Sequence, residues 1–262
     1  MLNKLREMWA QRRNREALYS TAAYWDRKAE TLQGKAVSMW PNNSLNALYE
    51  HEAESEIRRR LGDVKGRRII DIGCGTGRMS RWFAAQGAEV VGVDFSSGAL
   101  AIARQESQGD NPSYQLGSIF ELADENAFDI AFAWGVITTA CRERSQVLDA
   151  LTRIRRTLRP GGKMLLTEPI HKGFLHRVLD MDIRTFLTIV REAGFDVKAV
   201  GPMHFWPARL LLSYVAWPAW ITRPVYWIGH AGMQLPGLSR LGDYWSILAV
   251  PVTGSPPSAA TR

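Results

Sequence analysis

Hydrophobic positions along this chain change their period several times, and each change marks an element. Between residues 44 and 61, Leu45, Leu48, Ile57 and Leu61 fall on one face of a helix that stops near Gly62. Pro41 blocks continuation from upstream, and Asn43 or Ser44 is placed to cap the new helix. Residues 1–35 read as helical and basic, ending at Gly34. From Arg67 short apolar runs alternate with amphipathic stretches. "RRIIDIG", "AEVVGVDFS", "PSYQLGSIF", "AFDIAFAWGVI" and "KMLLTEPI" hold strands; "GRMSRWFAAQG", "SGALAIARQESQG" and "SQVLDALTRIRRTLRPGG" are helices. "DIRTFLTIVREAGFDVKAVG" adds a helix and a strand, and "YWSILAV" a last strand. Strand and helix alternating at this spacing imply right-handed βαβ crossovers. The expected fold is α/β: a doubly wound, mostly parallel, seven-stranded sheet with helices on both faces.

The connection before the last strand is long for a hairpin. Residues 202–242 are aromatic and apolar, with Trp206, Trp217, Trp220 and Trp227 among prolines and Arg209, Arg223 and Arg240. Their longest uncharged run is shorter than the ~20 residues a bilayer span needs. The organisation this implies is an N-terminal helical cap (1–66), a core (67–201), an aromatic amphipathic insertion (202–242), a final core strand (243–251) and a disordered tail (252–262).

Composition sharpens this only in part. The 262 residues are 46% hydrophobic, enough for one sizeable core. Cys74 and Cys141 are too few for a disulfide framework and read as reduced thiols. The net charge of +7 is uneven: residues 1–68 carry +5, residues 69–170 carry −2 and residues 171–262 carry +4. A basic periphery suits an anionic partner or a solvated surface. The N-terminal stretch is charged throughout, unlike a secretory signal, so the expected location is cytoplasmic, with peripheral contact to the inner membrane face.

The chemistry starts at "IIDIGCGTGRMS". Gly73, Gly75 and Gly77 follow a buried strand and precede a helix, so the backbone can approach a ligand there with no Cβ in the way. Dinucleotide sites use G-x-G-x-x-G; here the spacing is G-x-G-x-G, Arg78 stands where that pattern wants a small residue, and Asp71 lies two positions upstream. A carboxylate there repels a pyrophosphate and welcomes an ammonium, such as that of S-adenosylmethionine. Asp94, ending the second strand, is placed for ribose hydroxyls.

With "IIDIGCGTG", "VVGVDFS", "FDIAFAWGVI" and "LRPGGKMLLTEP" in that order, the chain resembles the class I S-adenosylmethionine-dependent methyltransferases over about residues 69–200. The resemblance implies a Rossmann-like core with S-adenosylmethionine as cofactor. The loop Asp71, Gly73, Cys74, Gly75 and Gly77 would hold the methionine end, and Asp94 the ribose. Phe95 would flank the adenine beside Ser96, Ser118 and Ile119 would meet its edge, and Trp134 would line the methyl end.

Base candidates lie past the fifth strand: Glu168, His171 and His176, with His204 as an outside choice and His51 on a solvated helix face. Glu168 also reads as a helix cap. Relatives often carry a His pair where Thr138 and Thr139 stand. No metal is expected, since the histidines are scattered and no Cys pair has zinc spacing. Tyr24, Trp25 and Trp40 would close over the cofactor or pack in the core. The aromatic insertion has three readings: a membrane-interface hairpin, a lid over an apolar pocket, or a homodimer interface. The expected activity is methyl transfer by in-line displacement to an apolar or lipid-linked small-molecule acceptor, on oxygen. The alternatives are a nucleic-acid (tRNA or rRNA) methyltransferase, against which the absence of an RNA-binding motif speaks, and a non-catalytic cofactor-binding scaffold.

Overall fold

The structure is a computed structural model that describes residues 19, 21–32, 40–173, 176, 178–235 and 237–252. The expected basic helix before residue 19 and the tail beyond residue 252 lie outside the described residues. Two helices, α1 (Ala22–Leu32) and α2 (Asn43–Leu61), precede β1 (Arg68–Ile72). Then follow α3 (Arg78–Ala85), β2 (Glu89–Asp94), α4 (Ser97–Glu106), β3 (Ser113–Leu116) and β4 (Phe128–Trp134). The chain continues through α5 (Ile137–Ala140), α6 (Arg144–Thr157), β5 (Leu158–Glu168), α7 (Ile183–Glu192) and β6 (Phe195–Phe205). It ends with α8 (Trp206–Leu212), α9 (Ala219–Gly232) and β7 (Gly242–Pro251).

The seven strands form one sheet in the order β3-β2-β1-β4-β5-β7-β6. β7 runs antiparallel to β5 and β6, and the other pairings are parallel. This is the expected doubly wound sheet. Both faces of the central strands are buried, which is why they read as unbroken apolar runs. Side chains along β1 alternate in direction: Ile70 and Ile72 pack with Ile154 of α6 and Ile189 of α7, and Ile69 with Ile57 of α2 and Phe83 of α3. Strand order reverses between β1 and β4, so the crevice for a ligand opens beyond their carboxyl ends.

Three local differences from the sequence reading have physical causes. The α2 cap is Asn42, whose side chain accepts from Leu45 N–H at 3.0 Å. Its Nδ2 donates to Leu212 O and Thr222 Oγ1 in the hairpin, so tertiary partners select Asn42 over its neighbours. α6 stops at Thr157, because Leu158 already pairs with Phe128 and residues 159–162 bulge out, with Gly161 at φ +79°, before Lys163 meets Ile130. β6 runs to Phe205, opposite Gly242, so residues 202–205 belong to the sheet and the excursion is 206–241. α8 and α9 lie on α2 through Leu45, Tyr49, Ala208, Leu212 and Tyr226.

Candidate active site

A cavity of about 520 Å³ opens at the carboxyl ends of β1, β2 and β4, within the ~300–1,000 Å³ usual for small-ligand sites. Its floor is the loop between β1 and α3. Gly73 and Cys74 N–H both donate to Val93 O, at 2.7 and 3.1 Å, folding the loop back over β2. The glycines serve two purposes. A Cβ on Gly77 would stand 2.3 Å from Tyr114 Oη, and one on Gly73 2.4 Å from Val136 Cγ2, so these positions admit no side chain on packing grounds. Gly75, at φ +55°, is the reverse: its Cβ would meet nothing within 4 Å, and the residue lines the cavity.

Asp94 is held in place by its own backbone surroundings. Gly75 N–H donates to Oδ2 at 2.8 Å and Ser96 N–H to Oδ1 at 2.9 Å. Each oxygen keeps a lone pair for a further donor, and the residue lines the cavity. Burial raises its pKa. Asp71 lies deeper, accepting from Ser80 Oγ at 2.6 Å, and burial pushes its pKa up to about 7. Burial, with Asp71 and Asp94 nearby, raises the Cys74 thiol well above its ordinary value and keeps it neutral. Ser96 caps α4 by accepting from Ala99 N–H, while its hydroxyl donates to Asp26 Oδ1 at 2.6 Å. Asp26 also accepts from Gly98 N–H, which pins α1 against α4 and sets Tyr19, Trp25 and Lys28 on the cavity wall. Ser118 Oγ accepts from Phe120 N–H in a reciprocal cap with Glu121, beside Ile119. Asp71, Gly73, Cys74, Gly75, Asp94, Phe95, Ser96, Ser118, Ile119 and Trp134 all line this one cavity, whereas Gly77 supports it from behind.

The end of the cavity near β4, β5 and β7 is built by Trp134, Val136, Thr139, Pro169 and Tyr244. The expected bases are elsewhere. Glu168 is fully buried and accepts from the N–H groups of Val136, Ile137 and Thr138 and from Thr138 Oγ1. It anchors α5, its other reading from sequence, and burial raises its pKa to about 7. His171 Nε2 lies 2.8 Å from Asp243 O and 3.1 Å from Asp243 Oδ1, and Asp243 Oδ2 holds Arg209 Nε at 2.8 Å. His176 Nδ1 contacts Gly173 O. None of the three lines the cavity. His204, at φ +55°, stacks on Tyr49 with ring centroids 4.0 Å apart, and burial lowers its pKa so that it is neutral. It backs the wall, 5.2 Å from the Tyr244 ring and 6.0 Å from that of Trp134. His51 is exposed, as expected, while its neighbour Glu52 is buried. Of the three aromatics expected over the cofactor, Trp25 lines the cavity, Tyr24 packs on Trp25, and Trp40 packs on Tyr214 of the hairpin.

Sequence reasoning missed Asp26 and Tyr244. Tyr244 opens the last strand read from sequence, but only the antiparallel pairing of β7 brings it to the cavity.

The open Gly75 direction, a carboxylate oriented by two backbone donors, and the flanking Phe95 fit a nucleoside joined to an amino-acid tail. The fold and this donor set resemble those of the class I S-adenosylmethionine-dependent methyltransferases, and the cavity suits S-adenosylmethionine. Comparison with known proteins agrees: the methyltransferase domain family matches residues 69–162. Methyltransferase GfsG of Streptomyces halstedii is 28% identical over 181 residues, 63% of each chain. A ubiquinone biosynthesis O-methyltransferase of Bradyrhizobium is 31% identical over 150 residues, 55% of this chain and 56% of that one. The chain thus spans between about half and two thirds of the length of the curated relatives it matches. The fold is shared with an S-adenosylmethionine-dependent methyltransferase from Mesorhizobium loti, at TM-score 0.55 and 21% identity over 74% of this chain and 95% of that one.

Proposed function

We propose that this protein transfers a methyl group to an apolar or lipid-linked small-molecule acceptor, on oxygen. One observation carries the reading: the Gly75–Asp94 cradle continues, within a single cavity, into a wall of Trp134, Val136, Pro169 and Tyr244. When bound, S-adenosylmethionine supplies a methyl group activated on sulfonium. Asp94 would hold the ribose hydroxyls, the bare backbone at Gly75 would admit the amino-acid tail, and Phe95, Ser118 and Ile119 would bracket the adenine.

The protein's own contribution is position. Holding donor and acceptor together supplies on the order of 7–11 kcal/mol, whereas a general base adds typically ~10²–10⁴-fold. With Glu168 committed to α5 and His171 to Asp243, alignment is the larger effect here. The aromatic wall excludes water and favours a ring or isoprenoid-like acceptor. The relative named for ubiquinone biosynthesis is an O-methyltransferase, which supports oxygen as the acceptor atom.

The test is incubation of pure protein with methyl-labelled cofactor and fractionated cell extract. Label in the lipid or apolar small-molecule fraction is expected. Label in RNA would replace this reading with a nucleic-acid methyltransferase, and cofactor binding with no labelled fraction would leave a scaffold.

A further inference from the structure

The α8–α9 hairpin packs one face on α2 through Ala208, Leu212 and Tyr226 and leaves a second large apolar face outward. Inward, Asn42 ties its two helices to α2 through Leu212 O and Thr222 Oγ1. Glu52, buried in α2, accepts from Tyr226 Oη at 2.8 Å and lies 3.5 Å from His230 Nδ1. Arg209, one of the insertion's three arginines, pairs with buried Asp243. Outward, α9 shows one stripe at helical spacing: Trp220, Arg223, Pro224, Trp227, Ile228 and Ala231 are all exposed. Trp220, Trp227 and Ile228 are 75%, 52% and 74% exposed, and Leu211, Tyr214 and Val215 continue the surface. An exposed contiguous apolar surface of this kind marks a binding face rather than an ordinary solvated one.

Charge decides between the possible occupants. Residues 206–242 contain no Asp or Glu, and Arg223 and Arg240 are exposed. A second copy on a two-fold axis would set this stripe against itself and leave Arg223 facing like charge. Among the described residues none from 206–241 lines the cavity, so the hairpin is no lid there. Trp at the boundary, Arg reaching headgroups and no acid are what an anionic bilayer interface favours. No described helix is long and apolar enough to cross a membrane, and α9, at 14 residues, is about 21 Å long.

We propose that α8 and α9 lie in the plane of an anionic membrane, with the stripe Trp220, Trp227 and Ile228 immersed and Arg223 at the headgroups. The inference extends the proposed function by naming where an apolar acceptor is met, and rests on that reading for the acceptor alone.

Flotation of the full chain with phosphatidylcholine vesicles, with and without phosphatidylglycerol, tests it. Binding to the anionic vesicles is expected, weaker on neutral ones and falling with salt. The variant W220S/W227S/I228S should lose roughly tenfold or more in vesicle affinity while keeping its calorimetric binding of S-adenosylhomocysteine, and W220S/I228S, which spares the contact of Trp227 with Tyr226 and His230, should lose vesicle affinity with its thermal midpoint unchanged. Arg223→Glu should lose roughly five- to thirtyfold on anionic vesicles and little on neutral ones. Absence of vesicle binding by folded protein would overturn the proposal. So would binding unchanged in the triple variant, or sedimentation showing a dimer that the triple variant disperses. Failure of methyl transfer or of cofactor binding is read in separate assays and leaves the flotation result standing.

Discussion

Replacing Gly75 with alanine separates a ligand cradle from an ordinary turn. The added methyl meets no atom within 4 Å, so folding feels only the backbone. A left-handed conformation, here φ +55°, costs an L-residue about 1–2 kcal/mol. Stiffening of the unfolded chain returns about 0.4–1 kcal/mol, leaving a net loss near 1 kcal/mol. In the proposed binding mode the same methyl crowds the cofactor's amino-acid tail. Crowding of that kind costs about 1–3 kcal/mol, a five- to roughly hundredfold weaker complex at 1.4 kcal/mol per decade. Gly77→Ala should do the opposite, since its Cβ would sit 2.3 Å from Tyr114 Oη behind the loop. That variant should destabilise the fold by about 3 kcal/mol or more, adding overpacking to the backbone term. Urea denaturation of both variants, with calorimetric titration of S-adenosylhomocysteine, reads the two quantities separately. If Gly75→Ala binds within twofold of the parent while losing only about 1 kcal/mol of stability, the glycine is a turn and the ligand sits elsewhere.

Asp94→Asn keeps the size of the side chain but removes the charge and one acceptor oxygen. Losing one or two charge-assisted bonds to ribose, at about 1.5–3 kcal/mol each, should weaken S-adenosylhomocysteine at least tenfold by calorimetry. Asp71, raised by burial from 3.8 to about 7, keeps its proton in the folded state over a range where the unfolded chain has lost it. Its contribution to stability is therefore complete below pH ~4 and is lost as pH rises through about 7. Between pH 5 and 8 this amounts to about 3 kcal/mol. Asp71→Asn should flatten its share of the denaturation profile, and a slope identical to the parent's would remove the assignment. Tyr226→Phe deletes the hydroxyl that donates to buried Glu52. A loss of about 1.5–3 kcal/mol is expected in urea melts, with S-adenosylhomocysteine affinity little changed because Tyr226 does not line the cavity; a loss below about 0.5 kcal/mol would show the bond to be inconsequential.

Much of the site was legible in the chain because its demands are local. A loop that must turn left-handed three times within five residues requires Gly73, Gly75 and Gly77 whatever surrounds it, and Asp94 follows at the end of the next strand. The alternation of apolar runs with amphipathic helices likewise stated the doubly wound sheet, since strands covered on both faces have no polar side. Which polar groups are buried was decided only by the tertiary structure. Glu168 and Asp243 resemble surface or catalytic groups along the chain, and become buried anchors through partners tens of residues away, His171 among them. Glu52 and exposed His51 are neighbours in sequence, and only the packing of α9 on α2 separates them. Tyr244 reaches the cavity because β7 returns antiparallel between β5 and β6. Backbone geometry is set by a few adjacent residues, whereas the burial and pairing of a charge depend on what the folded chain brings to it.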